Sequence, residues 1–206
     1  MIRGMLKHVR NASLVVALSA ATAGAQIITF STAGSFTGTG CAGTTCTFGS
    51  FTLSFTNSAS ASYFSGSLVD LGQFSTDALG GSGTSATLPA GVMFTLMINQ
   101  TAPGAGSNQY VGSLTGELRF DPSFSSLVWT PTTQVITVDG VVYDIVTDEA
   151  GNINIAGPTT TQDPNTTVVK ALATATVPEP ASMFLLGTGL VGVLGAARIQ
   201  RKRKNA

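Results

Sequence analysis

The sequence predicts an all-β body, an antiparallel β-sandwich of jelly-roll-like type, flanked by an N-terminal signal peptide and a C-terminal transmembrane helix. Three observations predict it. Apolar and polar residues alternate at period two in several stretches of residues 26–176, and none there sustains a 3.6-residue period. Asp139-Gly140 stands between two β-branched runs, the strongest short-range signal of a hairpin. Both chain ends break this pattern, each joining a positive cluster to an uncharged apolar run.

Residues 1–25 read as the signal peptide. Arg3, Lys7 and Arg10 form a positive n-region, and Ala12 to Ala23 is an apolar stretch of the usual length. Ala23-Gly24-Ala25 is the small-residue site behind which signal peptidase cuts, so Gln26 is the expected mature N-terminus.

The body spans residues 26–176. Cys41 and Cys46 are the only cysteines, and two so close in an exported chain read as a small-loop disulfide. Closing so short a loop adds only ~2 kcal/mol or less, so its role is to pin a turn. A metal pair or a nucleophile are the alternatives, and both lack a histidine partner. Phe51, Leu53 and Phe55 alternate with Thr52 and Ser54. Val92, Phe94, Leu96 and Ile98 share a second face, and Leu114, Leu118 and Phe120 a third. Gln134 to Val146 is the Asp139-Gly140 hairpin. A second turn, Asp148 to Asn152, leads into Ile153-Asn154-Ile155, which suggests a meander. Residues 167–176 form a weaker late strand. Residues 80–87 and 101–109 are rich in small residues and read as loops. Eight to ten strands are expected. Phe30, Phe48, Phe51, Phe55, Phe94, Phe120, Trp129 and Tyr143 are candidates for the core. No internal repeat points to a solenoid.

Residues 177–204 form the third part. Ala181 to Ala197 carries no charge, and at about 17 residues it is at the lower limit for a bilayer span. Arg198, Arg201, Lys202, Arg203 and Lys204 follow and hold that end on the cytoplasmic side. The expected topology is body outside, span, short tail inside. Pro178, Glu179 and Pro180 precede the span, and the prolines keep the chain there extended.

Val177-Pro178-Glu179-Pro180, the run Leu185 to Gly195 and the closing Arg/Lys cluster together resemble the PEP-CTERM sorting signal. The resemblance covers residues 177–204 and nothing before them. It implies recognition by exosortase, an integral membrane enzyme, with Pro178, Glu179 and Pro180 as the recognition residues. It further implies cleavage near that motif and a Gram-negative host that makes exopolysaccharide. The signal is carried by unrelated bodies, so it specifies destination rather than activity.

Charge and composition restrict the body further. Between Gln26 and Pro180 only Arg119 and Lys170 oppose ten acidic residues, a net charge of −8. Such a chain is repelled by nucleic acid and by anionic lipid. The single histidine, His8, lies in the signal peptide, which removes His-dependent triads and most zinc sites from the mature protein.

The remaining candidate chemistry rests on oxygen and aromatic groups. Glu117 with Asp121, or Asp144 with Asp148, can be drawn as a glycosidase pair. Glu117 also lies two residues from Arg119, and a surface ion pair is the simpler account. Asp148, Glu149 and Asn152 are weak calcium candidates, which turn chemistry explains equally well. Trp129, Tyr63, Tyr110 and Tyr143 are candidates for a sugar-stacking face, with core positions as the alternative.

The expected function is a non-enzymatic, exported surface or matrix protein without a cofactor, sorted by exosortase and associated with exopolysaccharide. A lectin-like or calcium-binding adhesion module is the alternative, and a glycoside hydrolase or ice-binding protein ranks last. The expected partners are signal peptidase, exosortase, the membrane and exopolysaccharide, but not nucleic acid.

Overall fold

A computed structural model describes residues 26–78, 85–120, 127–158 and 165–176. The alternating segments become fifteen strands, and no helix occurs among the described residues. In chain order they are β1 (Ile27–Thr37), β2 (Cys41–Ala42), β3 (Thr45–Phe48), β4 (Phe51–Asn57), β5 (Ala61–Phe64), β6 (Ser67–Ala78), β7 (Ser85–Thr87) and β8 (Met93–Ala102). There follow β9 (Gly106–Thr115), β10 (Glu117–Arg119), β11 (Leu127–Pro131), β12 (Val135–Val138), β13 (Val141–Ile145), β14 (Ile153–Ile155) and β15 (Asn165–Ala175).

Two large sheets form, and every pairing in them is antiparallel. One has the order β14-β11-β9-β8-β1-β5, the other β12-β13-β15-β6-β4-β3-β2; β7 and β10 make a small third sheet. The chain crosses repeatedly between the large sheets, for example from β4 to β5, β5 to β6, β11 to β12 and β13 to β14. Their inner faces meet in one sandwich-like core, as period-two alternation requires when one face of each sheet is buried. Val92, Phe94, Leu96 and Ile98 are all buried, as are Phe51, Leu53 and Phe55.

Aromatic rings join the sheets. Phe94 on β8 lies 4.7 Å from both Phe36 and Phe55, 4.8 Å from Phe74 and 5.1 Å from Trp129, measured between ring centroids. Phe55 and Phe74 come from the seven-stranded sheet, so this cluster spans the interface. Gly34 makes room for it. A Cβ at that position would meet the rings of Phe55 and Phe94, the latter at 2.8 Å.

The Asp139-Gly140 hairpin forms as expected. Val138 pairs with Val141, and Asp139 and Gly140 take φ of 38° and 79°, as a type I′ turn demands.

Several sequence expectations need correction. Fifteen strands replace the eight to ten expected, because short pieces such as β2, β7 and β10 carry too little pattern to read. Residues 113–120 are not one strand: the chain breaks at Gly116 (φ 119°), β9 and β10 join different sheets, and Phe120 is only half-buried. Residues 101–109 are mostly strand, with β8 running to Ala102 and β9 starting at Gly106. The meander does not form. β13 already has β12 on one edge and β15 on the other, so β14 crosses over and pairs with β11. The weak late strand is β15, an interior strand between β13 and β6. Its inward Ala171, Ala173 and Ala175 give a poor strand signal, yet Ala173 stands opposite the large ring of Tyr143.

Gly34→Ala is expected to overpack the aromatic cluster and destabilise the protein by about 1–3 kcal/mol in urea unfolding. Phe94→Ala is expected to cost about 3–5 kcal/mol in the same measurement.

Candidate functional site

Residues 25–176 form one compact unit, and the chain leaves it at Gln26 and Thr176. Strand β15 ends at Ala175. The backbone N–H and the hydroxyl of Thr176 then both donate to the Gly140 carbonyl, each at 2.7 Å. The turn that closes the β12–β13 hairpin therefore also clamps the last residue before the sorting segment. One strand connection away, the Ser65 hydroxyl accepts from the Ala175 N–H at 2.9 Å. The Ser65 N–H donates to the Gln26 carbonyl, also at 2.9 Å, and the Gly66 N–H donates to the Ala173 carbonyl at 2.7 Å. One serine thus bonds the first and the last strand of the body. Sequence reasoning missed it. Ser65-Gly66 carries an ordinary turn signal, and nothing local shows that the turn bridges two ends so distant in sequence.

Most of the predicted sorting residues lie outside the described residues: Ala23, Ala25, Pro178, Glu179, Pro180, Arg198, Arg201, Lys202, Arg203 and Lys204. Gln26 is described, at the start of β1.

A buried polar chain ties the two sheets. The Tyr110 hydroxyl on β9 donates to the Tyr143 carbonyl on β13 at 2.7 Å. The Tyr143 hydroxyl donates to Gln100 Oε1 on β8 at 2.9 Å, and Gln100 Nε2 donates to the Gly104 carbonyl at 3.0 Å. The side-chain polar groups of Tyr110, Tyr143 and Gln100 are thereby all partnered, whereas the buried Trp129 Nε1 has no hydrogen-bond partner. Burial pushes both phenols well above their ordinary value, and the Asp144 carboxylate adds to the effect on Tyr110.

Cys41 and Cys46 are disulfide-bonded. They are direct cross-strand partners on β2 and β3, with Cα atoms 4.0 Å apart. The bond closes a hairpin whose tip is held by two further backbone bonds, Phe36 N–H to Gly43 carbonyl at 2.7 Å and Phe55 N–H to Thr44 carbonyl at 2.9 Å.

Of the calcium candidates, Asp148 and Asn152 are occupied with turn chemistry, and Glu149 is exposed. Asp148 Oδ1 accepts from the N–H groups of Ala150 at 3.0 Å and Asn152 at 2.8 Å, and Oδ2 accepts from Asn154 Nδ2 at 3.0 Å. Asn152 Oδ1 accepts from the Thr130 hydroxyl at 2.7 Å. The backbone bond from Asn152, with those from Asn154 and Ala150, lowers the Asp148 carboxyl below its ordinary range. Among the described residues, no three His, Cys, Asp or Glu side chains cluster as a metal site.

Glu117 pairs with Arg119 at 3.0 Å, and this bond lowers its carboxyl further than the one from Ser85 does. Asp121 lies outside the described residues. The aromatic candidates turn inward. Trp129, Tyr110 and Tyr143 are fully buried, and Tyr63 stacks on Phe30 at 5.6 Å. They pack the core and present no exposed aromatic platform.

The body is therefore an all-β unit whose last described residue is Thr176. Residues 176–202, starting at that residue, match the PEP-CTERM protein-sorting motif. The motif implies an exported, cell-envelope-associated protein that exosortase processes at the membrane. Neither a curated protein nor a solved structure matches the chain.

Tyr143→Phe is expected to leave Gln100 Oε1 buried without its donor and to cost about 1–3 kcal/mol in chemical denaturation. In the parent protein the two tyrosines ionise more readily when unfolded, near pH 10. Their contribution is therefore full below about pH 10 and lost as pH rises above it. Tyr143→Phe should flatten that alkaline loss. Asp148 has the opposite sign. Its contribution is full above the ordinary carboxylate range and lost as pH falls through the lowered value, from about pH 5 downward. Asp148→Asn should flatten the acid limb of a melting-temperature profile.

Proposed function

We propose that this chain is a non-enzymatic surface or extracellular-matrix protein, sorted by exosortase and associated with exopolysaccharide. The observation that carries the reading is the match of residues 176–202 to the sorting motif, which follows directly on strand β15. In this reading signal peptidase cuts behind Ala25, and the body, a sandwich with jelly-roll-like crossings, folds outside the inner membrane. The apolar run 181–197 spans the membrane, and the Arg198–Lys204 cluster stops transfer. Exosortase then recognises Pro178, Glu179 and Pro180.

The body's composition supports a binding or structural role. The mature chain has no histidine to act as a general base near neutral pH. Glu117 is held in an ion pair, and Asp148 caps a turn. The six strands β14, β11, β9, β8, β1 and β5 contain no Asp, Glu, Lys or Arg. Their outward residues, among them Ser31, Ser35, Thr95, Asn99, Ser107 and Gln109, offer hydroxyl and amide groups, which suit a hydroxyl-rich partner better than a charged one.

The test is the intact mass of the protein recovered from its native host. The expected mass begins at Gln26 and ends near Pro180, with residues 181–206 absent. Replacing Pro178 and Pro180 by Ala is expected to retain those residues. A parent mass running from Gln26 to Ala206 would contradict exosortase cleavage.

A further inference from the structure

The end of the body from which the chain departs carries four of the eight large apolar residues exposed among the described residues. Phe64 is 61% exposed, Leu68 60%, Ile27 53% and Leu172 40%. They are not scattered. Ile27 pairs with Phe64 across β1 and β5, and Leu68 pairs with Leu172 across β6 and β15. Phe64 and Leu68 flank the Ser65-Gly66 turn, and Ser65 is the residue that bonds both Gln26 and Ala175. Ile27 and Phe64 face outward from one large sheet and Leu68 and Leu172 from the other, on either side of the Ser65-Gly66 turn, at the rim where both ends of the body meet. The charges around them are Asp139, in the turn whose Gly140 holds Thr176, Asp144, which pairs with Leu172 across β13 and β15, and the Asp70–Lys170 pair (3.9 Å) in the next row.

We infer that this rim is a lipid-contact surface, which seats the body on the outer leaflet while the sorting segment still anchors the chain. The inference rests on the anchored reading above. Chain length keeps the rim within reach of the bilayer: residue 181, where the uncharged run begins, is five residues beyond Thr176, at most about 18 Å of extended chain. A second protein copy is a poorer occupant. Four partly exposed side chains offer far less than the roughly 1,200 Å² that a stable protein interface buries. Apolar groups held at a bilayer surface need no such area, because the tether has already supplied the proximity. A body of net charge −8 would stand off an anionic surface, so the favoured lipid is zwitterionic.

The test uses the full chain, residues 26–206, reconstituted in phosphatidylcholine vesicles that carry a headgroup-level quencher. A fluorophore is attached in turn at Leu68→Cys and at Asp77→Cys. Asp77 is exposed on the same strand, nine residues or about 30 Å away. The thermal melt of each labelled chain verifies folding. The expected result is several-fold stronger quenching at position 68 than at position 77. Equal quenching at the two sites in vesicle-bound protein overturns the rim as a lipid contact and leaves the anchor standing. Failure of the chain to float with the vesicles overturns both. In a second measurement, Phe64→Ser with Leu68→Ser should reduce the quenching of a label at Ile27→Cys several-fold, and an unchanged value would overturn the inference.

Discussion

Everything in this fold depends on two flat sheets meeting through a few large rings. Phe94 touches four other aromatics, two of them from the opposite sheet, and Phe30 meets Tyr143 across the sheets at 5.6 Å. Rings of this size fit only where the backbone beneath is bare, which is why Gly34 stands under Phe55 and Phe94. On the other strand pair the compromise is the same with different residues. Ala171 and Ala173 keep β15 low beside Ile145 and Tyr143, and the volume saved on one strand is used by the next. Burial of each such aromatic is worth about 1.5–3 kcal/mol, so the cluster supplies a large share of the core's stabilisation.

An apolar interface sets how closely the sheets approach but leaves them free to slide. The Tyr110–Tyr143–Gln100–Gly104 chain opposes sliding, because each bond has one geometry and every broken member would be left buried and unpaired. Thr32 does the same elsewhere, donating to the Leu71 carbonyl across the sheets at 2.8 Å while accepting from the Ser58 N–H. The edges are managed by length. The outermost strands β5, β14, β12 and β2 have four, three, four and two residues, too short to template pairing with another chain. The charge-free six-stranded sheet therefore stays closed without the edge lysines that many sheets use.

The position of the two chain ends follows from the same topology. β1 and β15 lie in different sheets, yet the β5–β6 connection crosses between those sheets and passes both ends at Ser65. At the C-terminal end of the described residues, Thr176 is pinned by two bonds to the Gly140 carbonyl.

The sequence by itself determined destination and local form. The order of Pro178-Glu179-Pro180, apolar run and basic cluster is legible because the sorting motif it matches is itself a run of consecutive residues. The Asp139-Gly140 turn was legible because its φ preference belongs to those two residues. Inward residues such as Phe51, Leu53 and Phe94 followed from period two alone. Only the tertiary structure decided which strand pairs with which. Both inner faces are equally apolar, so a strand such as β14 cannot encode its partner, and it went where an edge remained open. The same holds for Tyr110, Tyr143 and Trp129: a sugar-stacking surface and a core use the same rings, and burial separates them only once the second sheet is in place. Ser65 became the meeting point of the two ends for that reason too, because its partners Gln26 and Ala175 approach it only through the finished sandwich.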